Sequence, residues 1–445
     1  MPQIEYSIAT LVEVVWGLPL VVLIGCSGIF LIVYSRLLPF LYLGHAIKIL
    51  FEKISPTAAG EQSHWRALCT ALSGTIGMGN VAGVAMAISA GGSGAIFWMW
   101  LAAIVGMSIK FFTCSLSCLY RAKDENGTYH GGPMYYIELG LGRNYRFLAI
   151  FFAACGMIGC LGVFQANQIG ALLNSEWNIA PTVTGLLIAA MVGVIVRGGI
   201  LNIGKFAGFT VPLMGLSYLL CALVVIFTHY QHVPYVLKAI FVGAFEPTAA
   251  IGGAIGLSVR EIIITGTKRA IFSNEAGVGT EALAHGTAKT DQPIREGFVG
   301  MLGPIIDTHL ICTATALVIL ASESQSENGI LAIANAFEKT MPGFGAFSLT
   351  VIFVAFGFST LVTYAFYSQK CASYLFGKRL GQQYLWVYLF FLVIAPTWKA
   401  QTALNLIDLA FALMTLPNLV ATLFLAGKVR KALRDYINNS VFYDR

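Results

Sequence analysis

Apolar runs of about 20 residues recur from one end of this chain to the other, the length a helix needs to cross a hydrocarbon core. Hydrophobic residues make up 57% of the 445 and charged residues 11%, against about 25% charged in a soluble domain. An all-α membrane protein follows, because a helix satisfies its own backbone where no water is available. The first run, 11–33, is too long for a signal-peptide core, and Glu5 and Glu13 stand where basic residues would flank one. It reads as a retained span. The nine cysteines lie mostly inside apolar runs without partners at metal-site spacing, and read as small apolar residues.

The runs count to eleven helices: about 11–35, 66–90, 95–119, 147–173, 181–196, 207–228, 268–288, 298–320, 345–372, 382–398 and 401–426. Segment 251–267 reads either as a surface helix or as the start of the seventh span. With the N-terminus outside, the inner connectors and the tail carry 20 of the 27 Lys and Arg residues. That bias places the C-terminus in the cytoplasm. The net charge of +6 is thereby a matter of topology, and no nucleic-acid partner is implied.

Two of the runs are interrupted. Ser73-Gly74-Thr75-Ile76-Gly77-Met78-Gly79-Asn80 puts three glycines into six residues between good helix formers. Phe272-Ser273-Asn274-Glu275-Ala276-Gly277-Val278-Gly279 repeats the arrangement later. Unwound backbone at that depth cannot face lipid and must line a polar cavity. Half-helix N-termini there suit an anion, and freed carbonyls suit a cation. Eleven spans divide as one extra helix with its connector (1–65), a first repeat (66–228), a second, inverted repeat (251–426) and a basic tail (427–445). Each repeat opens on a broken helix, the pattern of a secondary transporter.

The strings GTIGMGNVAGVAMAISAGGSGAIFWMWLAAIVGMSIKF (74–111), GTYHGGPMYYIELG (127–140), IFSNEAGVGTEALAHGTAKTDQPIREGFVGMLGPIIDT (271–308) and MTLPNLVATLFL (414–425) resemble the alanine or glycine:cation symporter family. The likeness covers nearly the whole chain. It implies a LeuT-like 5+5 inverted repeat preceded by one extra helix, and sodium-coupled uptake of a small neutral amino acid, chiefly alanine or glycine. It also suggests a prokaryotic cytoplasmic membrane. The chain is a divergent member. Met78 replaces a small hydroxyl, Thr363-Tyr364 stands for Gly-Trp, and Phe366-Tyr367-Ser368-Gln369 stands for Tyr-Tyr-Gly-Glu.

Residue types and resemblance together nominate a site. Thr75, Gly77, Met78 and Gly79 present backbone to a substrate carboxylate at a half-helix start. Gln165, an amide in an apolar span, must find a partner and is a candidate substrate ligand. Phe272 offers an apolar wall, Ser273 and Asn274 offer oxygen to an ammonium, and Tyr364 walls the cavity opposite. Sodium, the expected coupling ion, is assigned to the Ile76 carbonyl with Ser359 and Thr360, the pair that the resemblance supplies. Asn80, Glu275 and Asp307 are candidates for coupling or for structural bracing, and an intramembrane carboxylate is functional by default. Asn167 and Gln168 read as bonds to a neighbouring helix, and Lys110 as a chain reaching the inner interface.

No cofactor is expected. No metal-ligand cluster or nucleophile–base pair suggests an enzyme, and no repeated filter pattern suggests a channel. The alternatives that stay open are a proton-coupled carrier working through Glu275, and a substrate-binding membrane sensor that has lost transport.

Overall fold

The computed structural model describes residues 2–55, 58–124, 127–246, 258–322 and 330–440. Seven of its helices are long and apolar enough to cross a membrane. Two bent pairs, Ala9–Val15 with Leu18–Tyr34 and His64–Thr75 with Met78–Gly91, pass the same test together. The shorter Pro181–Arg197 and the interrupted Val259–Asn274 with Glu281–His285 complete a set compatible with eleven spans.

The first broken helix starts where Ser63 caps it, its hydroxyl accepting from Arg66 N at 3.3 Å. It runs His64–Thr75, unwinds at Ile76-Gly77, and resumes through a 3₁₀ turn, Met78–Asn80, into Ala82–Gly91. The two halves diverge by 59°. The second broken helix starts nine residues earlier than the sequence suggested. Ser258 and Glu261 form a capping box that opens Val259–Asn274. Segment 251–267 is therefore the start of the span from 259 onward, while 251–257 lies outside the described residues. Beyond the unwound 275–280 only the short Glu281–His285 follows. Phe272, Ser273 and Asn274 belong to the last turn of the helix rather than to the break itself.

Four further expectations need correction. The first span bends by 40° where Pro19 enters the first turn of its second helix. The fourth is interrupted between Arg146–Gly159 and Val163–Trp177. Gly162 there adopts φ 68°, and a β-carbon on it would lie 2.8 Å from the Tyr388 hydroxyl. The last helix, Ala400–Ser440, continues through most of the segment read as a tail, and 441–445 lies outside the described residues. Lys110 is 2% exposed in the body of Gly94–Leu119, so it does not reach an interface.

One end of the two broken helices is tied together. The amides of Glu61 and Gln62 donate to Thr287 O at 2.8 and 3.1 Å. Lys289 N donates to Gln62 O at 2.6 Å and Thr290 N to Ala59 O at 2.9 Å. Arg121 binds both strands, through Ala59 O at 2.9 Å and Ala288 O at 2.6 Å. Behind this strap, buried His64 and His285 each place Nδ1 on one oxygen of the Glu296 carboxylate. The segment entering the first break and the segment leaving the second are thereby held as one unit.

Candidate functional site

The two broken helices touch beside their breaks. A β-carbon on Gly79 would lie 3.2 Å from Ser273 Cα and 3.3 Å from Phe272 O, so a side chain there would push the two backbones apart by a few tenths of an ångström. Asn80 shapes the first break from inside, its side-chain Oδ1 accepting from Gly77 N at 2.8 Å. Its amide nitrogen donates to Asp307 Oδ1 and to Cys312 Sγ, the latter at 3.5 Å. Ser273 reaches the same pair from the last helical turn before the second break, at 2.9 Å to Asp307 Oδ2 and 3.2 Å to Cys312 Sγ. Asp307 joins the two breaks, a role that its isolated place in the sequence did not show.

The local reason is a π-helical stretch, Ile305–Cys312. Its i→i+5 pitch turns Asp307 and Cys312 to one face. Thr308 donates to Asp307 Oδ2 at 2.8 Å and accepts from Asn274 Nδ2 at 3.0 Å. Asn274 Oδ1 in turn accepts from Ala276 N at 2.9 Å, holding the second break in shape. Asp307 is 0% exposed, and its oxygens are met by hydroxyl and amide donors. Such an array satisfies a buried carboxylate through hydrogen bonds.

Glu275 turns the chain at the second break with φ 55°, in the left-handed region. It caps Val259–Asn274, its amide donating to Ile271 O at 2.8 Å. Its carboxylate accepts from the hydroxyls of Thr280 and Tyr364. Tyr364, nominated as a cavity wall, thus binds the break itself through Glu275. Asn418 supports the same segment, donating to Gly277 O at 2.7 Å and accepting from the Tyr136 hydroxyl. Nothing in the local sequence marks Asn418 for this role beyond its being an amide in an apolar span, which needs a partner.

The Ser-Thr helix, Gly345–Phe376, packs on the first break. A β-carbon on Gly77 would sit 2.6 Å from Thr360 Oγ1. Ser73 Oγ donates to Ser359 O at 2.8 Å. The hydroxyls of Ser359 and Thr360 donate to Phe356 O at 2.9 and 3.1 Å. A hydroxyl that donates keeps its lone pairs, so both can still serve a cation. Thr75 likewise turns back to Leu72 O at 3.4 Å. Met78 is buried, and its Cε lies beside Gly357.

Gln165 lies in the first turn of Val163–Trp177, next to Phe164, whose ring packs on Phe272 with centroids 5.6 Å apart. Its amide oxygen is buried and has no partner among the described residues. Asn167 faces elsewhere, donating to Ala395 O at 3.2 Å and Trp398 O at 2.7 Å, the helix-bonding role expected of it. One turn before Phe272, Arg269 stands over its ring at 5.3 Å and pairs with Asp408 at 2.9 Å, where Lys268 also binds.

Two helix breaks, bridged by one carboxylate and flanked by a hydroxyl pair, lie together inside a bundle of apolar helices. The pattern of the sodium:alanine symporter family matches residues 1–441. The chain belongs to that family. The sodium/alanine symporter AgcS of Methanococcus maripaludis is 36% identical over 431 residues, 93% of each chain. An uncharacterized transporter of Haemophilus influenzae is 36% identical over 441 residues, 97% of this chain and 96% of that one. In fold the chain is similar to MhsT, solved in complex with L-phenylalanine. The TM-score is 0.56 at 13% identity, over 83% of this chain and all but 1% of that one. This symporter-family member is thus a multi-pass membrane transporter with a LeuT-like fold, not an enzyme.

Proposed function

We propose that the protein carries a small neutral amino acid, alanine or glycine, together with sodium across the cytoplasmic membrane by alternating access. The observation that supports this reading most directly is the contact between the two breaks at Gly79 and Ser273. It brings the turn that follows the first break against the last helical turn before the second, so both interruptions lie beside one buried spot, as a midplane site requires. The substrate carboxylate meets the first break at Thr75, Gly77, Met78 and Gly79, where the Gly77 amide itself is held by Asn80 Oδ1. The ammonium meets oxygen from Gln165, Ser273 and Asn274, with the unpartnered Gln165 oxygen as its first acceptor. Phe272 takes the small side chain, and Tyr364 closes the opposite wall.

Sodium is a co-substrate here rather than a resident cofactor. The Ile76 carbonyl and the hydroxyls of Ser359 and Thr360 supply its oxygens. The ion steadies the same unwound segment that presents amides to the amino acid, so each ligand raises the affinity of the other. Asn80, Glu275 and Asp307 brace the breaks. The N-terminus lies outside and the C-terminus in the cytoplasm. Labelled alanine and glycine taken up by proteoliposomes, with an inward sodium gradient and a sodium-free control, test the proposal. Accumulation only with sodium is expected. Uptake driven equally by a pH gradient without sodium would overturn the choice of ion.

A further inference from the structure

Gln369 marks a position where the sequence departs from its family's pattern, and the central site leaves it without a role. Around it the structure builds a cavity of about 240 Å³. Glu61 lines it from the stretch before the first broken helix, and His130 from a short hairpin. Gln369 and Lys370 come from the end of Gly345–Phe376, and Lys378 and Gln382 from the start of Lys378–Ile394, on either side of the turn at Gly377. Lys370 is ten residues beyond Thr360 on a continuous helix, about 15 Å along its axis. The proposed orientation puts that end on the cytoplasmic side.

Two opposite charges line this cavity without pairing. Glu61 Oε1 is buried and has no hydrogen-bond partner among the described residues. Burial pushes the Glu61 carboxyl above its ordinary value, against the pull of Lys370. Lys370 Nζ has one hydrogen-bond acceptor among the described residues, His130 Nδ1 at 2.6 Å. The imidazole gives its own N–H to Asp124 from Nε2, at 3.3 Å, and Lys378 Nζ binds the same carboxylate oxygen at 2.9 Å. The ring is therefore a neutral acceptor toward Lys370, whose ammonium also stands over the Phe366 ring at 5.3 Å and has two protons without a hydrogen-bond acceptor among the described residues. Gln369 and Gln382 add amides and no further charge.

A ligand that completes both ends must carry a cation and an anion a short distance apart. The volume calls for a small one, since drug-sized ligands occupy pockets of roughly 300 Å³ and more. We propose that this cavity is a second amino-acid site, in which Glu61 takes the ammonium and Lys370 the carboxylate of a small neutral amino acid on its way out. This rests on the substrate class proposed above. Glu61 leads into the first broken helix, whereas Lys370 belongs to the Ser-Thr helix. The site spans two elements that alternating access moves apart, so binding there ends when they separate. None of the sodium oxygens belongs to it, so its occupancy does not depend on sodium.

Equilibrium binding of labelled alanine to the purified full-length protein tests this, with and without sodium. The wild type is expected to bind two alanines per protein in sodium and one without it. Glu61→Gln is expected to keep the sodium-dependent component, which also reports its folding, and to weaken the sodium-independent one at least tenfold. Lys370→Gln is expected to do the same. Lactate, similar in size but lacking the ammonium, is expected not to compete for the second component. One alanine per wild-type protein, or a sodium-independent component unchanged in Glu61→Gln, overturns the second site while leaving the symport reading intact. No alanine bound in either condition overturns the substrate class and the second site together.

Discussion

The two helix breaks look alike in sequence and are built on different physics. In the first, glycine serves close approach. Gly77 is extended, at φ −157° and ψ −151°, a conformation open to any residue. What it cannot tolerate is a side chain against Thr360. In the second, glycine serves conformation. Gly277 and Gly279 stand at φ 93° and 91°, and Glu275 at 55°. The first break carries no charge and is shaped by one amide, Asn80. The second carries a carboxylate pinned by two hydroxyls and an amide, Asn418, on its carbonyl. A segment held by space is free to loosen when its neighbour moves. A segment held by dihedral angles and hydrogen bonds keeps its shape. On this contrast the first break is the adjustable side of the site and the second its fixed side.

Gly279→Ala should do the most damage, because it meets both constraints. Its β-carbon would lie 2.8 Å from Pro133 Cγ and 2.9 Å from Asn418 Cγ, on backbone that disfavours L side chains. Strain and overpacking each cost about 1–3 kcal/mol. A loss of about 3 kcal/mol or more is expected, read as a lowered unfolding temperature in detergent and lost uptake. A Gly279→Ala protein with wild-type thermal stability would remove the distinction between the breaks.

Gly77→Ala should act next, and differently. The expected result is a rise of about tenfold in the sodium concentration for half-maximal uptake, corresponding to about 1.4 kcal/mol, with a smaller change in unfolding temperature. Thr360→Ala in the same protein removes the atom that the new methyl meets. The stability losses of the two substitutions should therefore be non-additive by about 0.5–3 kcal/mol, the range for residues in contact. Strict additivity would show that Gly77 is required for some reason other than space.

Glu275→Gln should be milder. The amide keeps one acceptor and the same shape, and loses a charge-assisted bond worth about 1.5–3 kcal/mol at most. Sodium-driven uptake is expected to continue, slowed by about tenfold or less. Complete loss of sodium-driven uptake in a folded variant would make Glu275 a coupling residue rather than a brace. Gly277→Ala should have the smallest effect. The nearest atom to its β-carbon is Thr415 Cγ2 at 3.7 Å, so strain acts alone, at about 1–2 kcal/mol.

Much of this was legible beforehand. The glycines and polar residues marked both breaks, because local helix propensity is a local property. The bonding role of Asn167 is legible too, because an apolar span leaves an amide few options. Asp307 was visible as a buried charge but not as the joint between breaks. That role depends on a π-helical turn and on two partners 227 and 34 residues away in the chain. The place of Lys110 escapes the sequence for the same reason. Its position near the end of an apolar run suggested an interface, while the packing of Gly94–Leu119 encloses it.

By itself, the sequence determined that the chain is a bundle of membrane-spanning helices and near which residues two of them break. These follow from hydrophobic run length and glycine placement, which act over a turn or a span. Only the tertiary structure decided that the breaks meet at Gly79 and Ser273, that Tyr364 binds Glu275, and that Glu61 and Lys370 line one cavity without pairing. Those are pairings across tens to hundreds of residues. In a medium where every helix face is apolar, the burial pattern does not say which neighbour each face will find.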